Sequence, residues 1–274
     1  MKKLSGILLS AVLAMGACAG LTGCSLNSYT YSRAGDYSVG ASEFSAADIS
    51  SIDIDWVSGE VNVVYADVEN IAIAESATRG DITSDFTMRY LAENGELKIK
   101  YARSGKWRFG KLQKTLTVTL PTTVELEKLS VDTASADFDA DMLVCKNANI
   151  DTASGDVAIG GGRIAELSID TASGEADIRL DSADRVEADT ASGDVDIVLC
   201  SAPTSIDIDT ASGDVLIKLP DDVGFTLEYG TASGRLDTEF SVTQSKDTYV
   251  CGDGAVRIIA DTASGDLTLK KISE

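Results

Sequence analysis

From residue 131 to residue 269 apolar and polar positions alternate with period two, and the alternation resets each time the chain spells Asp-Thr-Ala-Ser-Gly-Asp or a close variant. The copies begin at Asp132, Asp151, Asp170, Asp189, Asp209, Gly230 and Asp261, at intervals of 19, 19, 19, 20, 21 and 31 residues. A fixed period near 20 predicts a solenoid, in which each unit covers the apolar face of its neighbour. The residue before each copy is Val131, Ile150, Ile169, Ala188, Ile208, Tyr229 or Ala260. Six positions into each copy stands Phe138, Val157, Ala176, Val195, Val215, Leu236 or Leu267, so both columns are apolar throughout. Their parity differs, odd before Ser-Gly and even after it, which predicts a corner there, with glycine supplying the backbone freedom. The expected fold is all-β: a parallel single-chain β-solenoid with two strands per ~19–21-residue coil and a less regular β region at the N-terminus.

The same parity places side chains. Thr at position one and Ser at position three share the inward phase and are expected as buried hydroxyl stacks. Two acidic rows fall outside: Asp132, Asp151, Asp170, Asp189, Asp209 and Asp261 before the corner, and Asp137, Asp156, Glu175, Asp194, Asp214 and Asp266 after it. Like charges one coil apart repel by about 1 kcal/mol even at water's dielectric. Two compensations are open: the carboxylates accept hydrogen bonds from corner amides, or they collect a hard cation such as Ca²⁺ through oxygens of successive coils. The residues placed for the second are Asp151, Asp156, Asp170, Glu175, Asp189, Asp194, Asp209 and Asp214. No motif requires a cofactor, and Ca²⁺ is the candidate ion.

Ahead of the regular coils, residues 52–64 repeat the same grammar imperfectly and are expected as a divergent first coil. Further strand-like stretches follow at 70–74, 87–91, 96–101 and 115–120, with no helical interlude. The organisation predicted is a signal peptide at 1–23, a modified cysteine and tether at 24–47, and one solenoid domain at 48–274. Within that domain 48–128 form irregular capping coils and 129–272 the regular repeats. The long interval between Gly230 and Asp261 is expected to hold an extra strand pair or loop, with Cys251 inside it.

The two ends and the composition bear on function. Met1-Lys2-Lys3 and the apolar run to Gly20 have the form of an export signal. The run ends in Leu21-Thr22-Gly23-Cys24, which resembles the lipobox of bacterial lipoproteins; cleavage before Cys24 and acylation of its thiol would hold the mature chain at a membrane, facing outside the cytoplasm. After Cys24 no apolar run approaches the roughly 18 residues that a spanning helix needs. The formal net charge is -21, and loss of Lys2 and Lys3 makes it more negative still, which argues against nucleic acid as a partner. The sequence contains 0 histidines, which removes Ser-His-Asp and Cys-His nucleophiles and histidine zinc sites. Cys145, Cys200 and Cys251 lack metal-ligand spacing and allow either one disulfide with a spare thiol or buried apolar cysteines. One segment breaks the acidic background: Arg103, Lys106, Trp107, Arg108, Phe109, Lys111 and Lys114. It suits contact with anionic lipid head groups or cell-wall polymers, or else a solvated tip folded against the chain's own acids.

The Asp-Thr-Ala-Ser-Gly-Asp-Val-x-Ile repeat, the early Val57-Ser-Gly-Glu-Val-Asn-Val63 and the later Leu120-Pro121 resemble the bacterial adhesin-like family of β-strand-repeat proteins known as DUF4097, over about residues 48–272. The resemblance implies a β-solenoid at the cell envelope and offers no catalytic motif to transfer. The expected function is therefore a surface-exposed binding or scaffold module on an envelope lipoprotein, not an enzyme. Its partners would be the membrane, through the N-terminal lipid, and an envelope polymer or surface protein. The alternative is a cation-binding component of envelope stress. A polysaccharide-cleaving enzyme would need a carboxylate pair that breaks the repeat, and an ice-binding face would need Thr133, Thr152, Thr171 and Thr190 outside.

Overall fold

The computed structural model describes residues 24–25, 28–106 and 112–272. The predicted signal peptide, 1–23, lies outside them. Period-two alternation gives strands wherever it was read. Leu143–Thr152 buries Leu143, Cys145, Ala148, Ile150 and Thr152, and Val157–Ile159 buries its two ends across the corner. Successive coils pair in parallel and in register, Ile150 with Ile169, Asp151 with Asp170 and Thr152 with Thr171. Burying an Ile, Leu or Val this way contributes about 1.5–3 kcal/mol each, and the column supplies one at nearly every step. The strands form a 22-stranded sheet dominated by parallel pairs, and no α-helix occurs among the described residues. The return turn adds a short third ladder in three coils, where 143–145 pair with 162–164 and 163–164 with 182–183.

In the middle, neighbours in sequence are neighbours in space; at both ends they are not. The coils stack in the order 96–121, 51–66, 126–140, 143–159, 162–180, 182–199, 205–219, 256–271, 225–238. The first and last coils in sequence each sit one layer inside the stack, so both edges of each are hydrogen-bonded. The outermost coils are then covered by antiparallel strands. Arg89–Glu93 lies on 96–100 and Asn70–Arg79 on 113–121; at the far end Thr248–Cys251 lies on 225–228. The strands beyond these, Ser38–Val39, Ser42–Ser45 and Thr243–Ser245, are two to four residues long, too short to template another chain.

Two expectations meet different outcomes here. The interval after Gly230 does hold an extra strand pair, Thr243–Ser245 with Thr248–Cys251. The 24–47 segment, expected as a free tether, is built into the domain from Tyr29 onward. Tyr29 is 2% exposed, its hydroxyl accepts from Tyr101 N–H at 3.0 Å, and 42–45 pair with 70–73. Aromatic side chains at 29, 31, 37 and 44 give this polar stretch enough apolar surface to dock.

Candidate functional site

The site is the corner, repeated coil after coil. Its inner lining is a threonine column, Thr133, Thr152, Thr171, Thr190, Thr210 and Thr262, none more than 6% exposed. Thr152 Oγ1 accepts from Gly155 N–H at 2.8 Å, and the Thr133 hydroxyl lies 3.0 Å from Ala136 O. The threonines are thus buried as expected, but of these only the hydroxyls of Thr133 and Thr152 are hydrogen-bonded, those of Thr171, Thr190, Thr210 and Thr262 having no partner among the described residues; the burial removes the ice-binding reading, which needs these groups in solvent.

Serine does not join it. Ser154, Ser173, Ser192 and Ser212 are exposed, and Ser154 Oγ donates outward along the stack to Ala134 O at 3.4 Å. The strand ends at Thr152 and the chain bends at Ala153 and Ser154, with Ala153 N–H donating to Thr133 O at 3.2 Å, so the parity already flips at Ala-Ser, ahead of the glycine. The glycine then turns inward, and its role also differs from the expectation. None of Gly155, Gly174, Gly193 and Gly213 adopts a left-handed φ. Glycine is needed because a Cβ built on Gly174 would lie 2.0 Å from Gly155 O, and one on Gly193 2.0 Å from Gly174 O. The corner is a ladder of glycines in backbone contact.

The two acidic rows flank this ladder in different environments. After the corner the carboxylates are mostly exposed, and each accepts from the next coil: Asp137 Oδ1 from Asp156 N–H at 3.0 Å, Asp156 from Glu175 at 2.9 Å, Asp194 from Asp214 at 2.8 Å and Asp214 from Asp266 at 2.8 Å. The series skips the step from Glu175 to Asp194, where the acid is one methylene longer. Before the corner the row is half-buried. Burial, with neighbouring Asp132 and Asp170 adding repulsion, pushes Asp151 up to about 7. Burial next to Asp170 and Asp209 likewise pushes Asp189 up to about 7. Asp132, Asp209 and Asp261 are raised, chiefly by burial. Asp55, which extends the row, is pushed up to about 6 by burial. Asn149 Nδ2 donates to Asp151 Oδ2 at 3.0 Å.

Both rows stop at residues that break the repeat. Lys100, stacked on Asp55, sits 3.6 Å from its carboxylate and 3.5 Å from Asp53. At the other end Gly230 stands where Asp would, and Asp261 Oδ1 occupies the place of its missing Cβ. Arg235 ends the second row, its guanidinium 3.1 Å from Asp266 and its N–H donating to the same carboxylate at 2.9 Å. The deviant copy at 230–235 is therefore the terminal coil in space, though not in sequence. Among the described residues no group of three or more Cys, Asp or Glu side chains converges as a metal cage, including around Asp151, Asp156, Asp170, Glu175, Asp189, Asp194, Asp209 and Asp214.

The basic segment separates into three parts. Lys114, expected at an anionic surface, is instead fully buried. Its ammonium meets Glu75 at 2.6 Å, Phe86 O at 2.8 Å and Tyr101 O, and lies 4.5 Å over the Trp56 ring and 4.1 Å over Tyr101. Burial pulls it down to about 8 against the pull of Glu75. The signal for this was available: Lys114, Leu116, Val118 and Leu120 share one phase of the strand, the inward one. Arg103 and Lys106 are exposed and share one carboxylate, Asp85, at 3.3 and 2.9 Å. Trp107, Arg108 and Lys111 lie outside the described residues. Cys24 is described through its backbone, which pairs with Tyr29. Cys145, Cys200 and Cys251 are free thiols, and burial pushes Cys145 up to about 11.

Away from the corner, an open cleft of about 430 Å³ between 43–49 and 92–95 holds Glu43, Asp48 and Glu93 beside Phe44. It breaks the repeat, as a catalytic pair would, but Arg33 occupies Glu93 through contacts of 2.6 and 3.0 Å.

Residues 87–270 match the family described as Toastrack DUF4097. No curated protein matches the sequence. Among solved structures the chain is similar to a candidate adhesin from Parabacteroides distasonis, at 15% identity and a TM-score of 0.43 over 87% of this chain and 98% of that one. A candidate adhesin from Bacteroides fragilis gives 15% and 0.42 over 86% and 97%. A candidate cell adhesion protein from Clostridium sporogenes gives 10% and 0.40 over 86% and 100%. At that similarity none of them speaks to what this chain binds.

Proposed function

The chain belongs to the Toastrack DUF4097 family, and from that premise we propose that it is a binding or scaffold module of the cell envelope, held by a lipid on Cys24 and presenting its corner ridge to an envelope polymer or surface protein. One observation carries this reading. A ridge of exposed serines and half-buried alanines, bracketed by two carboxylate rows, repeats in register through the coils 126–140, 143–159, 162–180, 182–199, 205–219 and 256–271. Identical groups at one-coil spacing suit a repetitive partner that gains affinity by multivalency, since each added contact becomes intramolecular once the first has formed. Catalysis asks for the opposite, a unique pair of groups in unlike environments.

The test is retention of the purified protein on isolated envelope polymers and on intact cells. Saturable retention that falls when Asp151, Asp170, Asp189 and Asp209 are all replaced by Asn supports the ridge. Turnover of a polysaccharide that is lost in Glu43→Gln or Asp48→Asn would replace the proposal with an enzyme working in the 43–49 cleft. Calcium enters the same assay as a variable: a cation-bridged partner would be released by chelation, whereas a directly bound basic partner would be released by salt.

A further inference from the structure

The first residues of the domain are stitched to one corner of one end of the stack. Gly105 N–H donates to Tyr29 O at 2.6 Å, Tyr31 N–H to Ser104 Oγ at 3.2 Å, and Tyr31 Oη to Ala102 O at 3.1 Å. The rings of Tyr29, Tyr31 and Tyr37 follow one another at 5.7 and 4.9 Å. Cys24 pairs with Tyr29 through its backbone, and even fully extended the intervening residues could carry it no more than about 18 Å away. The stack itself is roughly 40 Å long at about 4.8 Å per coil. An anchor on Cys24 therefore emerges at the 96–121 end and cannot reach the other.

Charge decides how the stack stands on that anchor. Beside the strap, Arg103 and Lys106 share a single carboxylate, Asp85, so these three side chains together keep one net positive charge. Running away from it along the same corner are the two acidic rows, continuous from Asp55 and Glu60 to Asp261 and Asp266. Lying flat on the corner ridge would press those rows against head groups. Anionic lipid attracts each basic group near its surface by about 1 kcal/mol, and by the same field repels carboxylates.

We propose that the 96–121 end of the solenoid, at the corner carrying Arg103 and Lys106, contacts anionic lipid head groups of the bilayer that holds Cys24, so that the stack stands upright and the 225–252 end points away from the membrane. This rests on the lipid-anchor reading above.

The experiment uses full-length protein, lipidated by the host and reconstituted in vesicles containing anionic lipid and a head-group quencher. Single fluorophores are placed at Ser84→Cys, Ser192→Cys and Lys246→Cys in a Cys200→Ser, Cys251→Ser background, all three positions being exposed, and circular dichroism of each variant checks that the fold is kept. The expected result is loss of most of the emission at 84, a minor loss at 192, and none at 246 beyond that of an untethered control. Arg103→Gln with Lys106→Gln should flatten that gradient in anionic vesicles and leave it unaltered in zwitterionic ones. Equal quenching at the three positions, or the strongest at 246, overturns the orientation. Mass spectrometry of the Cys24 peptide separates the two failures: an unacylated thiol sinks the anchor reading and the orientation with it, whereas an acylated thiol with a flat gradient sinks the orientation alone.

Discussion

The middle of the stack and its 96–121 end solve the same problem in different ways. In the coils from 143 to 219 each corner is completed by the next copy of itself: glycine lies on glycine, threonine on threonine, and every after-corner aspartate, though not Glu175, accepts from the next N–H. At the end there is no next copy. There the threonine column gives way to Trp56 and Tyr101, their rings 4.9 Å apart, and a lysine ammonium closes the column against Glu75 and two carbonyl oxygens. With a single sentence of sequence, repetition pairs the backbone of every corner, though it leaves the hydroxyls of Thr171, Thr190, Thr210 and Thr262 without a hydrogen-bond partner among the described residues, and termination needs residues that occur once. The far end makes the same point with Gly230 and Arg235 in place of two aspartates.

Breaking the end should cost most. Lys114→Met leaves the nearly buried Glu75 without its cationic partner and is expected to cost about 3–5 kcal/mol in denaturant melts, much of it recovered in Lys114→Met with Glu75→Gln. Full additivity of the two single losses would contradict the coupling. In the middle, Gly174→Ala forces a methyl onto Gly155 O and should cost roughly 2–3 kcal/mol, while Ser173→Ala, one residue away and exposed, should be close to neutral. Equal effects at 173 and 174 would show that the glycine contact is not what fixes the corner.

The acidic rows give a smaller effect with an unusual sign. The folded-state values of Asp151 and Asp189, about 7, lie above the usual carboxylate value near 3.9, so the native state binds more protons than the unfolded chain between those limits. Stability is then greatest below pH 4 as far as these two groups decide it, and it is lost as pH rises toward 7 and slightly beyond. Melting temperature should fall between pH 5 and pH 7.5, and fall less in Asp151→Asn with Asp189→Asn. An unchanged slope in that variant would place the titration elsewhere. Asp156→Ala, which removes an exposed acceptor for Glu175 N–H, should lower the melting temperature slightly, and Asp156→Asn should restore it.

Calcium should have the least effect on stability. Millimolar Ca²⁺ is expected to raise the melting temperature at pH 7.5, by offsetting repulsion in the half-buried row, and to raise it less at pH 5, where Asp151 and Asp189 hold protons. An equal rise in the Asp151→Asn with Asp189→Asn variant would assign the ion to the outer row.

The sequence by itself determined the all-β class, the coil period, the inward threonines and the two outward acidic rows. Each follows from period-two alternation around a repeated corner, and a repeat lets one local rule be read many times over. It also contained the inward phase of Lys114, hidden by an apparent run of basic residues. Tertiary structure alone decided what depended on contacts between distant segments. It placed the last coil in sequence inside the one before it, docked Tyr29 and Tyr31 on 101–105, and turned glycine's role from flexibility into close approach. It also set the two rows apart, because identical aspartates at identical spacing differ only in what lies next to them: backbone N–H groups in one row, and burial beside other carboxylates in the other.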